Sequence, residues 1–409
     1  MLFRHECKKI LRSAAFIVYC ILSLLFFFTN YFSDCTGKED VGRDGLVAVE
    51  DHDLIMEGAL NSLMEDYNSN KYICYPYGYY KAVRLKGSKR DKIREYLKEI
   101  TGTDEKGFEE LLDKGEAYYE GYSAEAQYGY HDIPVKENFS YDRFREIMGD
   151  VDDMLGGGSV YRPDNLMYSF SLVPMSEEQI QAEQDGFYKE DRITRGLARL
   201  FCDYTGIILA ILPVFVAAWL TAADKKRRME ELVYTRKTSS VKLVFTRYAA
   251  LLCTMFVPVF AEMVVALLEA LSVYKGESMD MLAFFKLPTV WLLPNLMFTT
   301  ALGVLLTEIF SSAFAILTQT VVWFYSVMIG FGQLAGRIGR FTLVCRHNTP
   351  MERNVFLESR NNFIFSRIFW TVVSLLIMLL AAVVYNAERG GRFNGIRLFG
   401  KDSIFRRKA

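Results

Sequence analysis

Apolar residues in this chain come in blocks, and each block has the length of a membrane crossing. Residues 13–32, 201–223, 243–272, 289–307, 312–331 and 365–386 are predominantly apolar, and a helix of about twenty such residues spans a hydrocarbon core roughly 30 Å thick. Within lipid every backbone amide and carbonyl must be paired, so runs of this length are expected as α-helices. Hydrophobic residues make up 51% of the chain while 24% are charged, so the two sets must be segregated along it. The expected fold is an α-helical polytopic membrane protein with six transmembrane helices and a large, mainly helical (α+β) domain between spans 1 and 2.

Charge distribution sets the expected orientation. Residues 224–242 form a polar island between spans 2 and 3, in which Lys225, Lys226, Arg227, Arg228, Arg236, Lys237 and Lys242 outnumber Glu230 and Glu231. Short loops with such a basic excess stay in the cytoplasm. Met229, Leu232 and Val233 recur there at helical spacing, which fits either an ordinary cytoplasmic loop or a short amphipathic helix facing membrane or partner. Residues 1–12 (MLFRHECKKILR) place Phe3, Cys7, Ile10 and Leu11 on one helical face and Arg4, His5, Lys8, Lys9 and Arg12 on the other, the pattern of a cytoplasmic surface helix. The apolar run that follows is long for a signal-peptide core and lacks a small-residue cleavage site, so it is expected as a retained span.

By alternation, residues 33–200 lie outside. The net charge of −1 hides the asymmetry, since residues 33–199 carry about fourteen more acids than bases. Residues 88–102 (SKRDKIREYLKEITG) predict a helix with Ile93, Tyr96, Leu97 and Ile100 on one face and Gly102 as its stop. Residues 140–158 predict a second, with Phe144, Ile147, Met148, Val151 and Leu155 as its stripe. Ser176 with Gln179 fits a capping box opening a helix that runs on into span 2. Short aromatic strands are expected within residues 71–85, broken at Pro76 and Gly78. Cys35 and Cys74 share this domain, but the seven scattered cysteines fit small core residues better than a disulfide framework.

Within the spans, Pro258, Glu262 and Glu269 fall on one face of span 3. A carboxyl at membrane depth faces the bundle interior or a wet path, so Glu262, with Pro258, is a pathway candidate; the alternative is a hydrogen-bonded packing residue. Gln319 sits in mid-span 5, as a pathway residue or interhelical glue. Residues 332–364 bring Arg337, Arg340, Arg346, Arg353 and Arg360, with Arg367 just beyond, against the basic-inside tendency. Six spans with both termini cytoplasmic keep the basic tail, residues 387–409, inside, and put the arginine loop outside, partly neutralised by the acidic domain. Trp219, Trp291 and Trp370 are expected at membrane interfaces. The four histidines lack metal-ligand spacing. Residues 395–402 (GIRLFGKD) imitate a phosphate loop but carry Asp402 where a magnesium-binding Ser or Thr belongs, so the chain is expected neither to hydrolyse nucleotide nor to act as an enzyme.

Three stretches carry a resemblance. Residues 6–13 (ECKKILRS), 231–239 (ELVYTRKTS) and 247–252 (RYAALL), together with the Arg346-His347-Asn348 triplet, resemble the permease subunits of type-2 ABC exporters, over the amino terminus and residues 198–385. The resemblance implies a coupling helix at Glu230, Glu231, Leu232, Tyr234 and Arg236 that docks on a separate ATPase subunit, with residues 3–12 adding to the contact. It also implies pairing with a second permease copy or paralogue in the cytoplasmic membrane, no cofactor of its own and no nucleic-acid partner. The large domain after span 1 departs from polysaccharide exporters, and so favours an amphiphilic drug, peptide, lipid-like molecule or ion as cargo. Two other readings stay open: a mechanotransmitting ABC subunit, usually with four spans, and an ion-coupled carrier built on Glu262.

Overall fold

The computed structural model describes residues 2–33, 45–76, 80–119, 133–226, 238–331 and 338–392. The chain divides into a helical unit, Met1–Val41 with Gln181–Ala409, and a second unit, Gly42–Ile180.

The helical unit begins with α1 (Leu2–Leu11) and α2 (Ala14–Phe26), which continues as a wider turn over Phe27–Phe32. The Ser13 side chain caps α2 by accepting from the Phe16 N–H at 3.1 Å, which pairs one of the amides left free where the chain bends between α1 and α2. Five segments are long and apolar enough to cross a membrane: Ala14–Phe32, Thr194–Ala223, Ser240–Val273, Ala283–Ile309 and Arg360–Arg389. A sixth apolar stretch, Ser312–Met328, is shorter. This is a helical membrane protein. Thr194–Ala223 and Ala283–Ile309 are largely buried and form the centre, while the first and last spans expose Ile17, Ile21, Leu25, Ile368, Leu376 and Val383 to the surroundings.

α1 buries a charged residue together with an apolar one. Its inner face is formed by Glu6 and Ile10, both buried, whereas Phe3 and Leu11 are exposed. Glu6 turns inward because Arg247, near the start of Ser240–Val273, pairs with it at 3.4 Å. Trp291 is fully buried, stacked on Phe356 with ring centroids 5.7 Å apart.

The second unit contains α3 (His52–Ser69), α4 (Ser88–Thr101), α5 (Glu105–Tyr119), α6 (Tyr141–Leu155) and α7 (Leu166–Phe170). Strand β1 (Leu46–Ala48) pairs with β4 (Leu172–Pro174), and β2 (Tyr72–Cys74) forms a hairpin with β3 (Lys81–Val83). The stripes of α4 and α6 are buried as their spacing required, and Gly102 and Gly156 end them in the left-handed conformation. Cys74 is buried, while Cys35 lies outside the described residues.

α8 (Glu177–Asp185) opens with the reciprocal capping box, Ser176 N–H to Gln179 Oε1 at 2.9 Å and Gln179 N–H to Ser176 Oγ at 3.3 Å. It does not run on into span 2. Arg192 (φ 48°) and Ile193 (φ 62°) break the chain before α9 (Thr194–Leu209). Among the described residues the remaining helices are α10 (Pro213–Lys226), α11 (Ser240–Val273), α12 (Ala283–Ile309), α13 (Ser312–Phe331), α14 (Arg353–Glu358) and α15 (Arg360–Arg389). α12 is the hub, packed against α9, α10, α13 and α15.

Candidate functional site

Residues 338–352 lack regular structure yet bury Ile338, Thr342, Leu343, Val344, Cys345, Arg346 and His347 inside the helical unit. Irregular backbone at such depth is tolerated only where protein groups satisfy it. Arg367 on α15 does much of this: Nη1 donates to Trp291 O (2.9 Å) and Asn295 Oδ1 (2.8 Å), and Nη2 to Thr342 O (2.7 Å), Leu343 O (2.8 Å) and Ser366 Oγ (2.9 Å). Asp203, fully buried on α9, accepts from Arg346 Nε at 2.7 Å and from the His347 N–H at 2.6 Å through the same oxygen. One turn earlier, Arg199 donates to Pro350 O at 2.9 Å and pairs with Asp191 at 2.6 Å. Arg353 joins the same cluster, 2.5 Å from Glu190 and 3.3 Å from Asp191. Arg353 is neutralised by Glu190 and Asp191, at the end of the acidic stretch of residues 33–199, whereas Arg346 pairs with Asp203 on α9.

Strain marks the same place. Ile193, a β-branched residue, and Glu352 (φ 54°) both hold positive φ, at a cost of about 1–3 kcal/mol each. Gly196 is required by close approach, since a Cβ there would stand 2.5 Å from Pro350 O. Burial, reinforced by the Arg199 charge, pushes His347 down to about 4, so it is neutral at physiological pH, with Nε2 3.0 Å from Met351 O.

A second construction adjoins it. The span Thr194–Ala223 is interrupted between Leu209 and Pro213, which leaves carbonyls without a helical donor. Side chains of α13 reach two of them, Trp323 Nε1 to Ile207 O (3.0 Å) and Gln319 Nε2 to Ala210 O (2.5 Å), while Asn295 Nδ2 of α12 adds to Gly206 O (3.3 Å), which also keeps the Ala210 N–H (3.2 Å). Gln319 thus commits its amide to the broken helix.

Glu262 lies elsewhere. It is 1% exposed and accepts from Ser23 Oγ of α2 at 2.8 Å, with Pro258 buried one turn before it on α11. Glu262 and Gln319 share no hydrogen-bond partner, so the sequence candidates do not converge on one site. Glu230, Glu231, Leu232, Tyr234 and Arg236 lie outside the described residues, as do residues 395–402. No group of His, Cys, Asp or Glu able to hold a metal occurs among the described residues.

No family model, curated protein or solved structure matches the chain. Its site is thus read from geometry. Sequence reasoning passed over Arg199 and Asp203, although an Arg and an Asp four residues apart in an apolar run was itself a signal. Arg367 was counted as loop charge, and nothing local announced that it would be drawn inward.

Proposed function

We propose that the chain is the membrane-spanning permease subunit of an ABC exporter, moving an amphiphilic substrate across the cytoplasmic membrane with ATP hydrolysed by a separate subunit. One observation carries the reading: the downstream flank of the basic loop, where it enters α11, is fastened to the bundle. Just before α11, Thr238 O accepts from Arg389 at 2.6 Å; on α11, Ser240 Oγ donates to Asn386 Oδ1 at 2.9 Å, and Arg247 pairs with Glu6 of α1 at 3.4 Å. A displacement of the loop by an ATPase is handed at once to α1, α11 and α15, which is what a lever between two membrane helices requires. Both termini and the loop are cytoplasmic in this reading, residues 33–200 face outside, and a second copy or paralogue completes the pathway. Five long apolar helices exceed the four usual for a mechanotransmitting subunit.

Glu262 supports a second reading, an ion-coupled carrier, because a buried carboxyl held by one serine at span depth is a candidate proton or cation site. Purification of the full chain from its native membrane separates the two. The exporter reading expects a P-loop ATPase to copurify and to be lost on Glu231→Ala with Tyr234→Ala. Transport that persists without any ATPase and stops on Glu262→Gln would replace it with the carrier.

A further inference from the structure

Where three spans of the helical unit begin, the structure contains a cavity of about 500 Å³, a size within the usual range of small-molecule sites. Five cations line it, Arg195, Arg199, Lys286, Arg353 and Arg360, against two carboxylates, Asp191 and Asp280. Asp191 is shared by Arg199 (2.6 Å) and Arg353 (3.3 Å), which also reaches Glu190, and Asp280 serves Arg195 at 3.3 Å. Lys286 and Arg360 make no ion pair among the described residues. Arg199 is 2% exposed, and its Nε has no hydrogen-bond partner among the described residues.

The helix ends sharpen this excess. Arg195, Lys286 and Arg360 sit at the amino-terminal turns of α9, α12 and α15, none of which has an acid in its first turn. Helix amino termini carry partial positive charge and favour anions; Asp280 caps α12 through the Ala283 N–H at 3.2 Å and pairs with Arg195, which leaves Lys286 and Arg360 as the cations an added anion relieves. The other wall is apolar, with Leu287, Val290, Phe356 and Leu357. Val290 and Leu357 are exposed, as are Ile364, Phe365 and Ile368 farther along α15. A free phosphate needs the cations alone; a site that continues into an exposed apolar surface suits an amphiphile.

We propose that this cavity binds the phosphate-bearing headgroup of an anionic amphiphile, with Lys286 and Arg360 on the phosphate, Arg199 and Arg353 behind it, and acyl chains along Val290 and Leu357. The site depends on the membrane character of the chain and not on the exporter reading, so either can fail alone. The test is calorimetric titration of the full-length protein in neutral detergent with dioctanoyl phosphatidate, dioctanoylglycerol and inorganic phosphate. Phosphatidate should bind, the uncharged glycerolipid should not, and inorganic phosphate should bind at least about tenfold more weakly. The double substitution Lys286→Gln with Arg360→Gln, both exposed and without an ion-pair partner among the described residues, should weaken phosphatidate binding by about tenfold or more, while Lys136→Gln with Arg145→Gln in the second unit leaves it unchanged. Should the exposed pair prove to affect folding, Leu357→Asp should weaken phosphatidate without strengthening inorganic phosphate. Equal binding of the glycerolipid, undiminished phosphatidate binding in the Lys286/Arg360 variant, or a similar loss in the Lys136/Arg145 control would overturn the site. Inorganic phosphate binding as tightly as the lipid would overturn the amphiphile and assign the cavity to a soluble phosphate.

Discussion

Asp203 binds two donors through one oxygen, Arg346 Nε at 2.7 Å and the His347 amide at 2.6 Å, with no exposure to solvent. Removing one member of such a pair strands a charge in a low-dielectric interior, whereas replacing both need not. Asp203→Asn or Arg346→Met alone should therefore cost about 3–5 kcal/mol, and Asp203→Leu with Arg346→Met less than the sum, as read by thermal unfolding in detergent. His347 adds a pH dependence. Its folded value of about 4 lies below the ordinary 6.5, so on acidification the unfolded chain takes up a proton before the folded one does. The stability this group supports is complete above 6.5 and declines as pH falls towards 4, by roughly 3 kcal/mol at the acid end. Thermal unfolding of His347→Gln should lose that part of the acid slope; an unchanged slope would mean that the imidazole is solvated.

Interruption of an element creates the need for its neighbours. The break ahead of Pro213 frees the carbonyls of Ile207 and Ala210, and Trp323 and Gln319 answer them from α13, while Asn295 of α12 adds a second donor to Gly206 O. Gln319→Leu keeps the volume and removes the donor, which should cost about 1–3 kcal/mol for the orphaned carbonyl. Gln319→Glu should do worse, because it presents a carboxylate to a carbonyl. Retention of full stability in both variants, measured by fluorescence-detected thermal unfolding, would show that water fills the gap. α1 follows the same logic: Glu6 turns inward because Arg247 of α11 stands opposite it.

For the whole molecule the open quantity is orientation, and the fold decides how to measure it. Arg346 is 4% exposed and committed to Asp203, so a label there would report unfolding and not sidedness. Arg340 is exposed, with its guanidinium 5.6 Å from the Phe365 ring. Arg340→Cys in a background without other accessible cysteines should react with a membrane-impermeant maleimide from outside; reaction only from the cytoplasmic side would invert the proposed topology. Apolar run length and charge spacing determined, from sequence alone, that this chain is a helical membrane protein, the buried stripes and terminating glycines of α4 and α6, and the capping box of α8, because those depend on neighbours three or four residues away. Tertiary structure alone decided that residues 338–352 are drawn into the bundle, that Arg367 and Asp203 hold them, and that Arg195, Lys286 and Arg360 meet around one cavity. Those outcomes depend on groups brought together from distant parts of the chain, and local periodicity carries no record of such pairings.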